Sequence, residues 1–261
     1  VNIIDKDSFV ALVGPNMTPV LANDNLKPFY SLFPRDKRYF IKSIAVAPIS
    51  LDGELIGSLN QGDISRKRFQ PGIDTSLLEQ LAVKVSLCLS NVTAHEKLRF
   101  LAYHDPLTGL LNRRVMESVL EREYARSVRY PKNLSVVFVD LDHFKRVNDI
   151  HGHDRGDDLL RYVAGSLTAM SRNTDVVARY AGDEFVLILP ETTKESAELL
   201  MKRICAYLSE HPLRMEDITI PVSISFGIAS TRDKGIDSPQ SLLRKADKML
   251  YAVKNEKRED N

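Results

Sequence analysis

The chain has 261 residues, 43% hydrophobic and 27% charged, with a formal net charge of +1. That balance argues against a broad nucleic-acid or membrane surface, and no apolar run reaches the ~18–20 residues that span a bilayer. Single cores seldom grow far beyond ~150–200 residues, so two domains are expected. Cys88 and Cys205 make neither a disulfide framework nor a metal pair, and no signal-peptide pattern is visible. A reduced, cytoplasmic setting is the expectation. The first residue is Val rather than Met, which reads as a piece of a longer protein.

Residues 1–73 carry short strand-like runs between turn signals, and Pro15, Pro19, Pro28 and Pro34 break the first part into loops. Residues 41–49 are apolar and β-branched. Leu51, Asp52, Gly53 and Glu54 read as a turn, and residues 55–59 follow as a second strand, which predicts a hairpin. At Asp74 the pattern changes to helix. Asp74 or Thr75 can cap it, and Leu78, Leu81, Val85, Cys88 and Val92 recur at spacings of three and four. The stripe continues weakly through His95, Arg99 and Ala102. It suits a dimeric coiled stalk and a helix packed on its own domain equally well.

From about residue 103 helix and strand alternate. Helices are predicted at 112–130, 157–171, 193–209 and 238–254. A buried-type strand is predicted at 134–139, two β-type runs around residues 179–185, and a strand pair or one long strand at 218–229. The order predicts an α/β domain with helices packed on a central sheet.

The chemistry is concentrated in a few stretches. Ala181, Gly182, Asp183 and Glu184 split the two apolar runs 176–178 and 186–189, which reads as a tight hairpin. Gly182 can take a positive φ and let a ligand approach the backbone. An Asp-Glu pair alone is most simply a solvated acidic turn. The second acidic strand end, Asp140 after the run 134–139, changes that reading, because the two carboxylates can bracket Mg²⁺ for a phosphate substrate. Asp142 is the better cap for a helix at 143–150, which leaves Asp140 for the metal. His151 and His153 sit among acids without a cysteine, a poor pattern for a transition metal. Asn148 and Asp157 suit a purine, since an Asp accepts from the N1–H and amine of guanine, groups that adenine lacks. Asp157 also suits a helix cap. Lys254 and Arg258 stand one helical turn apart and can reach phosphates. Arg172 and Asp175, just before the hairpin, suit a second anion or purine, or a surface ion pair.

Together these residues resemble the GGDEF family, the diguanylate cyclases, over about residues 99–258. The markers in order are Asp105-Pro106-Leu107-Thr108-Gly109-Leu110-Leu111-Asn112-Arg113-Arg114, the run 140–149, and Gly152-His153-Asp154 with Gly156-Asp157. They continue with the hairpin 179–185, Ser223-Ile224-Ser225-Phe226-Gly227-Ile228-Ala229, and Ala246-Asp247-Lys248-Met249-Leu250-Tyr251 with Lys254. The family signature is usually Gly-Gly-Asp-Glu-Phe, and Ala181 stands here for its first glycine. Lys257, Arg258 and Glu259 stand where the family often has Gly-Arg-Asn. Residues 41–92 resemble a GAF-type sensor domain that is truncated.

The resemblance implies an α/β (α+β) fold like nucleotidyl cyclases and the polymerase palm, with a central, mainly antiparallel sheet, over 105–261. A helical stalk at 74–104 would join it to a partial GAF-like α+β domain at 1–73. The implied reaction condenses two GTP into cyclic di-GMP and two pyrophosphates across a homodimer, with two Mg²⁺ (or Mn²⁺) per site. Asp140, the Leu141 carbonyl and Asp183 would hold metal, and Asp183 or Glu184 would assist deprotonation of the 3′-hydroxyl. Lys145 would stabilise phosphate charge. Asn148, His153, Asp157 and Gly182 would bind substrate, and Lys254 and Arg258 would clamp its phosphates. Arg172, Asp175 and Arg203 would form a product-inhibition site. Two alternatives are a catalytically inactive domain that binds GTP or cyclic di-GMP, and an enzyme making a hybrid cyclic GMP-AMP.

Overall fold

The computed structural model describes residues 5–14, 18–33, 40–51, 53–215 and 218–259, without the side chains of 258 and 259. Two compact units emerge, Val1–Leu98 and Arg99–Asn261.

The first unit opens with α1 (Lys6–Val13), whose first turn is capped by the Asp5 carboxylate accepting from the Ser8 amide. Strands β1 (Val20–Ala22), β2 (Ser43–Leu51) and β3 (Glu54–Asp63) form an antiparallel sheet with β2 in the centre. The hairpin expected here is present and longer than its apolar runs. Gly53 turns it with φ +83°, while Asp52, Pro15 and Pro34 lie outside the described residues. Ile44 and Val46 from one face of β2 pack with Phe9, Val13 and Leu32. Then α2 (Ser76–Tyr103) begins where Asp74 accepts from the Ser76 amide. Ala82 is its one buried residue among those described. The stripe is therefore largely open, with Leu81 and Val92 exposed.

The second unit follows as β4 (Leu111–Asn112), α3 (Arg113–Arg129), β5 (Leu134–Leu141), α4 (Phe144–His151), α5 (His153–Met170), β6 (Val176–Ala181), β7 (Glu184–Pro190), α6 (Lys194–Glu210), β8 (Leu213–Arg214), β9 (Thr219–Ile220), β10 (Ile224–Ser230) and α7 (Pro239–Glu259). Five strands form one sheet in the order β10-β5-β7-β6-β4, antiparallel except where β4 runs parallel to β6. β5 is buried along its whole length between β10 and β7. Its side chains alternate between two cores, as strand geometry requires. Val137, Val139 and Leu141 join Leu160, Val163, Met201 and Ile204 of α5 and α6. Leu134, Val136 and Phe138 join Met116, Leu120, Leu242, Ala246 and Leu250 of α3 and α7.

Several local expectations need correction. β5 extends through Leu141, so Asp140 lies inside the strand rather than beyond it. α5 starts at His153, and Asp157 is therefore a helical residue, not a cap. The N-cap of α4 is His143 at φ 59°, with no side-chain cap bond. Asp142, expected to do that capping, instead accepts from Ser225 and Lys257. The stretch 218–229 divides into β9, which pairs with β8, and β10, which pairs with β5.

Candidate active site

The site is built at the end of the sheet where β5 stops and the β6–β7 hairpin turns. Asp140 lies opposite Glu184 of β7 on one side and Ser225 of β10 on the other. Directly paired residues of an antiparallel ladder project to the same face. Asp140 and Glu184 therefore share the α7 face, and Lys254 of α7 reaches Asp140 with Nζ 2.5 Å from Oδ2. The hairpin loop is Gly182 and Asp183. Gly182 holds φ +50°, and a Cβ built there would meet nothing, so the tip is open to a ligand. The Leu141 amide donates to the Asp183 carbonyl at 3.3 Å, which ties the tip to the strand end bearing Asp140.

Asp140, Leu141, Asp183, Lys145 and Lys254 line one cleft of about 500 Å³, with Asp142, His143 and Lys257 on its wall. Its electrostatics are strained. Burial raises Asp140 above the usual carboxylate range; the Lys254 hydrogen bond opposes this, and the Asp183 charge adds to it. Burial likewise raises Glu184, and the charges of Asp140 and Asp183 push it further. Among the described residues, no three His, Cys, Asp or Glu side chains stand close enough to hold a metal ion by themselves.

Asn148 lies one turn beyond Lys145 on α4 and packs against Gly156 of α5. A Cβ at position 156 would overlap the Asn148 Oδ1, so the glycine makes room for this amide. That Oδ1 is buried and has no hydrogen-bond partner among the described residues. Buried acceptors are nearly always paired, and this one is an exception among the described residues. Asp157 follows Gly156 directly and is half-buried. His153 is exposed at the start of α5 and does not line the cleft. The Arg258 side chain lies outside the described residues.

A second cavity of about 400 Å³ brings together Arg172, Asp175 and Arg203, with Met170, Thr192 and Ser196. Asp175 Oδ2 accepts from the Arg172 amide at 2.8 Å, a backbone turn rather than a side-chain ion pair. Its Oδ1 is buried without a partner among the described residues. An Arg203 guanidinium nitrogen donates to the Met170 carbonyl at 2.9 Å.

Two side-chain networks had no assigned role. Arg179 donates to both Asp105 oxygens, at 3.0 and 3.2 Å, and its Nε donates to the Gly182 carbonyl at 2.9 Å. Burial alone would raise Asp105, but Thr108 and Arg179 outweigh it and hold the carboxyl below its ordinary value. Lys257 contacts Asp142 Oδ2 at 2.7 Å and Ser225 Oγ at 2.8 Å. Burial raises Asp142, and Lys257 with Ser225 reverses that shift. Both networks join residues far apart in the chain, so neither leaves a local pattern. The Asp105 turn and the departure at Lys257 were their only sequence signals.

Comparison with known proteins agrees with this geometry. Residues 102–260 match the family described as diguanylate cyclase, GGDEF domain. The diguanylate cyclase DgcP of Pseudomonas aeruginosa is 38% identical over 159 residues, 61% of this chain and 23% of that protein. The cyclic di-GMP phosphodiesterase NbdA of the same organism is 37% identical over 161 residues, 62% of this chain and 20% of that protein. The chain thus spans a quarter or less of these two relatives. A crystal structure of the coiled coil and GGDEF domain of DgcB from Caulobacter crescentus, in complex with c-di-GMP, is similar at TM-score 0.59 and 30% identity. It covers 69% of this chain and 95% of that one. With its antiparallel sheet, acidic hairpin and matched segment of 159 residues, the chain belongs to the GGDEF-domain family of diguanylate cyclases.

Proposed function

We propose that this chain condenses two GTP molecules into cyclic di-GMP and two pyrophosphates. The observation that carries the reading is the convergence of Asp140 and Asp183 with Lys145 and Lys254 at one cleft, with Glu184 close enough to feel both carboxylates. Asp140, Asp183 and the Leu141 carbonyl offer hard oxygen donors that suit Mg²⁺, with Mn²⁺ as a substitute, two ions per site. Mutual repulsion among these carboxylates fits a divalent cation, and substrate phosphates with water would fill the remaining positions. When bound, the ions would polarise the α-phosphate and neutralise charge on the leaving pyrophosphate.

The chain's own residues do the rest. Glu184, or Asp183 beside it, takes the 3′-hydroxyl proton. Lys254 exchanges Asp140 for phosphate oxygens and works with Arg258, while Lys145 at the start of α4 neutralises further phosphate charge. Gly182 lets the nucleotide approach the hairpin backbone. Asn148 and Asp157 pair with the guanine edge, the orphan Asn148 acceptor being the support for that placement. His153 stays an expected substrate contact at the rim. Each domain brings one GTP, so two copies must face each other as a homodimer, and the open apolar stripe of α2 supports such pairing. The cavity of Arg172, Asp175 and Arg203 is the product-inhibition site in this reading, supported by the buried unpaired Asp175 oxygen. The first unit acts as a GAF-like sensor with α2 as the connecting stalk, and GTP as substrate implies a cytoplasmic setting.

Incubating the purified chain with GTP and Mg²⁺, then identifying the product by mass spectrometry, tests the reading. Asp140→Ala and Asp183→Ala should each lower turnover at least ~100-fold with the fold intact, because metal stabilisation is worth several kcal/mol. Activity within tenfold of wild type would remove the metal assignment. The similarity to a relative named a cyclic di-GMP phosphodiesterase favours a second reading, a catalytically inactive domain that binds GTP or cyclic di-GMP. Saturable GTP binding with no dinucleotide product would select it.

A further inference from the structure

We propose that Lys257 is a further polyphosphate-binding residue of this chain, a cation placed where the family often has glycine. The inference rests on the reading of the cleft as a nucleoside triphosphate site. Lys257 lies three residues after Lys254 on α7, so the two side chains share a helix face. Each meets a carboxylate of the same strand region: Lys254 reaches Asp140 at 2.5 Å and Lys257 reaches Asp142 at 2.7 Å. Ser225 completes the second pair, donating to Asp142 Oδ1 at 2.6 Å and accepting from Lys257 at 2.8 Å.

The two partners differ in exposure. The Asp142 side chain is 11% exposed, whereas that of Lys257 is 48% exposed and lines the cleft with Lys145 and Lys254. The ammonium is held by Asp142 and Ser225 where the side chain lines the cleft. Among the described residues, three lysines, Lys145, Lys254 and Lys257, face three acids, Asp140, Asp142 and Asp183, on this wall. A glycine at position 257 would leave Asp142 uncompensated and the wall net negative, facing a ligand that is itself strongly anionic. Lys257, paired with Asp142, cancels that repulsion and so favours binding of the phosphate chain. The nucleoside end of the ligand, placed along Asn148 and Asp157, gains nothing from it.

The test is equilibrium binding of α,β-methylene GTP with Mg²⁺, and of guanosine, to the whole chain carrying Lys257→Met or Lys257→Arg. The expected result is about tenfold weaker binding of the GTP analogue to Lys257→Met, equivalent to about 1.4 kcal/mol. Guanosine binding should stay unchanged, and Lys257→Arg should bind the analogue within twofold of wild type. Equal weakening of analogue and guanosine would overturn the proposal, since Lys257 would then only fasten α7 to the sheet. Unchanged analogue binding in Lys257→Met would overturn it as well. Failure of the wild-type chain to bind either ligand would instead remove the underlying assignment of the cleft, and this proposal with it.

Discussion

Glu184 carries more charge strain than its place on a strand suggests. Burial raises its proton affinity first, then Asp140, Asp183 and Asp247, while Lys254 opposes them. A carboxyl whose folded pKa lies above its unfolded value binds more protons in the folded state, so its ionisation weakens the fold as pH rises between those two values. Glu184→Gln should therefore melt at a higher temperature than wild type at pH 7 without divalent cations. That advantage should fade as pH falls through the raised pKa towards the ordinary carboxylate range. Turnover should fall ~100-fold or more if Glu184 accepts the substrate proton. Parallel melting curves from pH 4 to 8 check the first part, and an advantage independent of pH would refute it. Arg172 poses the complementary case in the second cavity. Its change to Ala should leave initial velocity nearly intact and remove the slowing as product accumulates. Calorimetry giving equal cyclic di-GMP affinity for both forms would exclude that role.

At the scale of elements, the contact between β10 and α7 sets where the lysines stand. A Cβ at Gly227 would overlap the Leu250 amide nitrogen and the Ala246 carbonyl oxygen. Backbone cannot yield as a flexible side chain would, so Gly227→Ala should cost ~1–3 kcal/mol or more. The melting midpoint should drop by at least ~2 °C, and GTP binding should weaken because Lys254 and Lys257 move with the helix. A midpoint within one degree of wild type would show the helix can shift freely.

Elements of this size were mostly legible in the sequence. The apolar runs of β5 and β7 and the helix starts near Asn112 and Thr193 follow from local chemistry, and the carboxylates sit at the ends of those runs. The start of α5 was not legible, because His153, Asp154 and Arg155 are exposed and carry no apolar period. Nor was the true partner of Asp142, which lies 115 residues away at Lys257. Local capping rules favour a near neighbour, and a lysine on a distant helix wins only once the sheet and α7 are assembled.

For the whole molecule, the open stripe on α2 is the feature to test. Leu78, Leu81, Val85 and Val92 lie on a helix with one buried residue among those described. A second copy would cover such a stripe. Replacing Leu81 and Val92 by Glu should convert the proposed dimer into a monomer in sedimentation, and turnover per chain should fall with dilution. Unchanged sedimentation would exclude this stripe as a contact between copies.

The clamp around Arg179 bears on how such a molecule can be controlled. Asp105 stands two residues beyond the end of α2, holds the Thr108 turn, and is held by the same guanidinium that grips the Gly182 carbonyl at the hairpin tip. The exit of the long helix and the acidic tip are therefore one mechanical part. If α2 serves as the proposed stalk, a twist arriving along it would move the tip bodily and leave its internal geometry alone. In the proposed dimer the machinery would behave as a lever with a hard point: an input would decide how often two points meet, not how sharp each one is.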